Sequence, residues 1–194
     1  FKKKFGDNLR LNVQLADYSW FNLGGNAEYF YKAKNISQLI EFLKVTKEKK
    51  LKTIIVGAGS NILFRDNGVK GAVIKLGKEF SFIKKLNKDT LEIGAATLDR
   101  NIANFAKENR IGNLEFLSCI PGSLGGAIVM NSGCYENDIS KVLLSLKAID
   151  KNRFLEIEIK KEDIKFLYRG TNLPKDLIIT SAKLKGSIGL KEKI

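Results

Sequence analysis

Residues 27–33 alternate large apolar with polar side chains, the twofold period of a strand with one buried face. Asn35 with Gln38 then has the form of a capping box, and apolar residues recur at Ile36, Leu39, Ile40, Leu43 and Val45. That spacing predicts an amphipathic helix to about Lys49. Residues 53–56 read as a buried strand feeding a loop of small residues, and 69–76 as another strand after a turn at Asp66-Asn67-Gly68. Residues 80–86 and 90–93 pair across Asn87-Lys88-Asp89. A second helix starts with Thr97 as N-cap, runs through Ile102, Ala103, Phe105 and Ala106, and closes near Arg110 with Gly112 as C-cap. Further on, 127–131 is a short helical piece, 142–149 and 154–159 are strands joined at Asp150-Lys151-Asn152, 162–166 is a helical turn, and 177–184 is the last strand.

One βαβ unit followed by antiparallel pairs predicts an α+β fold of two subdomains around separate sheets, rather than one doubly wound sheet. The expected boundaries are 1–77 and 78–185, with 186–194, beginning Gly186-Ser187-Ile188-Gly189, as a linker to a further domain. No internal repeat stands out.

The most informative segments are two glycine-rich loops: Gly57-Ala58-Gly59-Ser60-Asn61 after the strand at 53–56, and Pro121-Gly122-Ser123-Leu124-Gly125-Gly126. Backbone N–H groups with little side chain before them converge on an anion, and glycines let a flat ligand approach the main chain. Both loops therefore point to a large phosphate-bearing cofactor held mostly by backbone. The first loop is not a Rossmann G-x-G-x-x-G, because Ile62 stands at the sixth position, and no Gly-Lys-Ser/Thr of a Walker loop follows.

Composition narrows the chemistry. The chain has 194 residues, 44% of them hydrophobic, and a net charge of +13 carried almost entirely by Lys. The lysines are interleaved with acids, which reads as a solvated surface; a nucleic-acid interface remains an alternative without an Arg-and-aromatic stripe to support it. No apolar run reaches the length of a membrane span, and the basic start at Phe1 lacks both a signal-peptide pattern and an initiator Met. The expectation is a cytoplasmic monomer, numbered from within a longer product, with no membrane or nucleic-acid partner. With no histidine, Ser-His-Asp, Cys-His and His-ligated metal chemistry are excluded. Cys119 and Cys134 form no CxxC pattern and are expected as buried thiols, with no metal site. If the chain does chemistry, the reactive group is expected to be brought in by a cofactor.

Five segments in order resemble a known family. These are Trp20-Phe21-Asn22-Leu23-Gly24-Gly25-Asn26-Ala27-Glu28, the loop from Gly57 to Leu63, Ile120 to Ala127, Met130-Asn131-Ser132-Gly133-Cys134-Tyr135, and Tyr168-Arg169. They resemble the UDP-N-acetylenolpyruvoylglucosamine reductases, bacterial flavoenzymes of peptidoglycan synthesis, over nearly the whole chain. The resemblance implies an FAD-binding fold of the vanillyl-alcohol-oxidase (PCMH) type, with non-covalent FAD between two α+β subdomains, NADPH as hydride donor and a UDP-sugar substrate. It implies that Gly57, Ala58, Gly59, Ser60 and Asn61 wrap the FAD diphosphate, and that Pro121, Gly122, Ser123, Gly125 and Gly126 line the flavin with Asn131 and Gly133 nearby.

Arg169 is implied as the catalytic residue: a fixed guanidinium facing the substrate carboxylate stabilises charge that builds as hydride adds to the enolpyruvyl double bond. Tyr168 is implied beside it at the substrate, and Thr171 stands where the family often has Ser. The proton-donating Ser and assisting Glu of that family match no residue here, so this chain is expected to hold FAD but reduce little substrate. Two alternatives stay open at this stage: another FAD-dependent oxidase on the same scaffold, and a basic nucleic-acid-binding module.

Overall fold

The computed structural model describes residues 2–189, so the expected linker from Leu190 to Ile194 lies outside the described residues. The chain divides into two compact units, Phe1–Glu79 and Phe80–Ile194.

The first unit is a sheet of β1 (Leu9–Gln14), β2 (Asn26–Ala33), β3 (Thr53–Val56) and β4 (Val69–Leu76), in the order β1-β2-β4-β3. β1 runs antiparallel to β2, whereas β4 is parallel to both β2 and β3. One side of the sheet buries Leu15, Ala27, Phe30, Val56, Phe64 and Val73 as a single cluster. The helix Ile36–Glu48 buries Leu39, Phe42, Leu43 and Thr46, a stripe at helical spacing, and Phe42 stacks on Tyr31 at 3.9 Å between ring centroids.

The predicted cap is present, since Asn35 Oδ1 accepts from the Gln38 amide at 2.9 Å. The return half of the box is not made: Gln38 Oε1 is buried without a partner among the described residues. Asn35→Ala is expected to lower stability by about 1 kcal/mol, read as a shift of the urea midpoint at constant slope.

The second unit is antiparallel. Its sheet joins β5 (Ile83–Lys85), β6 (Thr90–Gly94), β7 (Leu143–Asp150), β8 (Leu155–Lys160) and β9 (Leu177–Lys185), in the order β8-β7-β9-β6-β5. The central strand β9 is buried from Ile178 through Ala182, as a strand covered on both faces must be. The helix Asp99–Glu108 buries Ile102, Ala103 and Ala106, and the short helix Leu124–Val129 buries Leu124, Ala127 and Ile128.

Several expectations are corrected. The second helix begins at Asp99 with Leu98 as N-cap, because the Thr97 hydroxyl donates to the Phe82 carbonyl instead of capping. Arg110, at φ 58, rather than Gly112, takes the left-handed position after this helix, and Gly112 pairs with Ser187 in a two-residue ladder. That ladder, with Gly186 N donating to Asp89 O and Gly189 N to Arg110 O, bonds residues 186–189, the start of the expected linker, to the second unit. β3 is an edge strand, so Ile54 and Ile55 are exposed and the strand is not the buried one expected.

Candidate cofactor-binding site

In the first unit, parallel strands deliver the first glycine loop at the carboxyl end of β3. Gly59 is buried at φ 80, and a Cβ there would lie 2.0 Å from the Tyr18 carbonyl oxygen. Its own carbonyl accepts from the Trp20 amide at 3.0 Å, while the Ser19 hydroxyl donates to Ile62 O at 2.8 Å. The segment 19–25 is thus strapped across the loop, and the Gly25 amide continues the strap to Arg65 O at 3.0 Å. The amides of Ala58, Gly59, Ser60 and Asn61 donate to no other group among the described residues. Consecutive amides left undonated in a turn form a nest for an anion.

Lys75, a residue that reading the sequence missed, lies at this loop: it pairs in register with Val56, and its Nζ donates to Gly57 O at 2.7 Å. Burial foremost, and Lys32 next, lower its pKa. Two open hollows of about 640 and 530 Å³ lie beside Asp66 and Asn67, and neither is lined by residues 57–61. An anion bound to main-chain amides needs no enclosed cavity.

In the second unit, the second glycine loop is wedged against residues 95–99. Leu124 N donates to Thr97 O at 3.0 Å, Gly125 N to Ala95 O at 2.9 Å, and Asp99 N to Gly122 O at 3.1 Å. Of the expected flavin-lining residues, Pro121 is exposed, Gly122 and Gly125 are half-buried and Ser123 is buried. Gly126 is exposed, and a Cβ built on it meets nothing within 4 Å. Beneath the loop sits Asp99, fully buried, with neither carboxylate oxygen partnered among the described residues. A Cβ on Gly122 would come 2.6 Å from Asp99 Oδ2. Burial pushes the Asp99 pKa up to about 8.

Four more of the expected residues, Asn131, Gly133, Tyr168 and Arg169, lie in this unit. Asn131 Nδ2 donates to Leu167 O at 3.2 Å while its Oδ1 accepts from the Ser140 amide at 3.0 Å. Arg169, at φ 56, donates to Gly133 O at 3.3 Å, and its guanidinium lies 5.5 Å from the ring centre of Tyr168. Thr171 donates to Val129 O at 3.3 Å, tying the turn that carries Arg169 to the end of the helix Leu124–Val129. Tyr168 is 93% exposed, its ring meeting solvent and that guanidinium.

The cysteines correct another expectation. Cys119 is exposed and Cys134 half-buried, because Cys119 sits where the chain leaves a short 3-10 turn whose buried side chains are Phe116 and Leu117. Burial first, then a hydrogen bond with Cys119, raise the Cys134 pKa. No group of three metal-ligating side chains occurs among the described residues.

These two units carry a known signature. A family model described as an FAD binding domain matches residues 27–152, and the chain belongs to that family. Among individual proteins, it is 42% identical to the UDP-N-acetylenolpyruvoylglucosamine reductase of Pelagibacter ubique (strain HTCC1062), over 194 residues that make up 100% of this chain and 64% of that relative. The crystal structure of UDP-N-acetylenolpyruvylglucosamine reductase from Thermus caldophilus matches with a TM-score of 0.81 at 27% identity, over 95% of this chain and 65% of that one. A p-cresol methylhydroxylase structure matches with a TM-score of 0.68 at 15% identity, over 97% of this chain and 42% of that one, which bears on the fold alone. The fold is the vanillyl-alcohol-oxidase (PCMH) type, as expected. The chain spans 64% of the length of the Pelagibacter relative.

Proposed function

We propose that this chain is the FAD-binding portion of a cytoplasmic, NADPH-dependent reductase that converts UDP-N-acetylglucosamine enolpyruvate to UDP-N-acetylmuramate in peptidoglycan synthesis. The observation that carries this reading is the set of undonated amides at residues 58–61 beside the Lys75 ammonium. A dinucleotide diphosphate satisfies both at once, so the residues present fit FAD. The names of the relatives support the choice of substrate. In the described residues no helix is long and apolar enough to cross a membrane.

When bound, FAD supplies the hydride relay between NADPH and the enolpyruvyl double bond. The chain's own residues bind and orient. Gly57, Ala58, Gly59, Ser60 and Asn61 hold the diphosphate through main-chain amides. The outer face of Pro121, Gly122, Ser123, Gly125 and Gly126 takes the flavin, with no side chain on Gly126 to obstruct it. Asn131 and Gly133 fix the turn that presents Arg169, whose remaining N–H groups face the substrate carboxylate and stabilise the negative charge developed there. Tyr168 supports that guanidinium through its ring face. No side chain of this chain is assigned to protonate the α-carbon.

The test is to purify the chain, reconstitute it with FAD, and record the visible spectrum before and after denaturation. A flavin band that is released on unfolding, with little or no turnover of the enolpyruvyl nucleotide by these 194 residues, is the expected result. A colourless protein whose affinity for DNA collapses with salt would overturn it. Flavin colour retained by the unfolded chain would point instead to a covalent oxidase.

A further inference from the structure

Two cations of the first unit, Arg10 and Lys75, approach one tyrosine ring and a third, Lys32, stands beside Lys75, and among the described residues none of the three has an acid to answer it. Arg10 on β1 donates to the Tyr18 hydroxyl, and its guanidinium lies 5.9 Å from the Tyr18 ring centre and 5.1 Å from that of Phe30. Lys75 on β4 approaches the same Tyr18 ring at 5.9 Å. Lys32 on β2 is the register partner of Lys75, so the two side chains leave the same face of the sheet side by side. Among the described residues, Arg10, Lys32 and Lys75 take part in no ion pair; the pairs that do form involve other residues.

Like charges placed side by side in a partly buried position destabilise one another unless an anion joins them. Here the anion site is already outlined. Lys75 Nζ spends one N–H on Gly57 O, at the start of the loop whose next four amides are undonated. Two N–H groups of the ammonium remain, on a nitrogen 2.7 Å from the carbonyl of Gly57, the residue that precedes those amides.

We propose that Lys75, backed by Lys32 and Arg10, is the counter-cation of a diphosphate subsite at the first glycine loop, so that the cofactor is held there by a side-chain charge as well as by main-chain amides. This rests on the reading that the chain binds FAD. Lys75 does for the phosphates what amides alone do not. It neutralises net charge, and its bond to Gly57 O holds the loop open in the binding shape before the ligand arrives. Tyr18 keeps the cations in place: its ring face attracts Arg10 and Lys75, and its hydroxyl accepts from Arg10.

The experiment compares Lys75→Met, Lys75→Arg and, as a control for loss of surface charge, Lys88→Met, which removes an exposed lysine of the second unit. Dissociation constants are measured for FAD, for ADP and for riboflavin, which lacks phosphate, at low and moderate salt. Lys75→Met is expected to weaken FAD and ADP by about tenfold or more, the scale of one charge-assisted hydrogen bond, and to flatten the salt dependence. Riboflavin binding should be unchanged, Lys75→Arg should recover most of the loss, and Lys88→Met should behave as the parent. Equal FAD affinity in Lys75→Met and the parent chain would overturn the proposal while leaving the cofactor reading intact. So would equal weakening of riboflavin, which would mark Lys75 as a packing residue. If the parent chain takes up no FAD at all, the cofactor reading itself falls and this subsite with it.

Discussion

Gly59→Ala is expected to destabilise the first unit by about 2–5 kcal/mol, combining the penalty for a left-handed L-residue with forced overpacking. At φ 80 the new methyl would point at main chain: the Tyr18 carbonyl oxygen at 2.0 Å and its carbon at 2.9 Å. Neither is the end of a flexible side chain, so the strap at residues 19–25 must lift and lose the bond from Trp20 N to Gly59 O. Gly126→Ala should behave in the opposite way. Nothing stands within 4 Å of that Cβ, and the site is inside a helix, where Ala is favoured over Gly by roughly 0.5–1 kcal/mol. The fold should gain slightly while FAD binding weakens, because the methyl fills space kept for the flavin. Urea unfolding together with FAD titration of both variants separates the two roles. A fully stable Gly59→Ala, or a Gly126→Ala that binds FAD as the parent does, would contradict this division.

Asp99→Asn should remove a pH dependence of stability. The carboxyl is fully buried with no partner among the described residues, and burial raises its pKa from 3.8 to about 8. Between those values the folded chain binds a proton that the unfolded chain has released, so stability must fall as pH rises through the window. The stabilising contribution is whole below the unfolded value near 3.8 and gone above the folded value near 8. A tenfold difference in proton affinity between folded and unfolded chains is worth about 1.4 kcal/mol, so the effect across the whole window is on the order of 5 kcal/mol at most. The amide has the same shape and no charge to bury at any pH. Urea titrations at about pH 5 and about pH 8.5, on either side of most of that window, are therefore expected to show the parent losing stability relative to Asp99→Asn on going to the higher pH. Parallel profiles for the two proteins would show that the carboxyl finds a partner or solvent when it ionises.

Much of this architecture was legible in local pattern. The stripe Leu39, Leu43 with the Asn35 cap marked the first helix, alternation marked β2, and the Asn87-Lys88-Asp89 turn marked the β5–β6 hairpin. What failed depended on partners distant in the chain. Thr97 has the chemistry of a cap, but a carbonyl from Phe82 competes for its hydroxyl. Gly112 resembles a helix stop until the Ile111–Gly112 and Ser187–Ile188 strands are seen to pair. Ile54 and Ile55 look like core until β3 proves to be at the edge. At the candidate site, the glycine loops were visible because they are contiguous. Lys75 was not, since it reads as one more polar position on a strand, and only the register with Val56 brings it to the loop. Asp99 was hidden for the same reason, as a charged residue in an amphipathic helix whose first turn happens to face inward.

Asn131 has a chemical consequence of its own. Its amide gives a proton to the Leu167 carbonyl and receives one from the Ser140 main chain, so a single side chain stitches three strips of polypeptide together. An aspartate of identical outline keeps the second stitch but sets lone pair against lone pair at Leu167. Slow hydrolysis of this one amide to the acid would therefore unpick the seam leading to Arg169 while leaving the hydrophobic interior untouched.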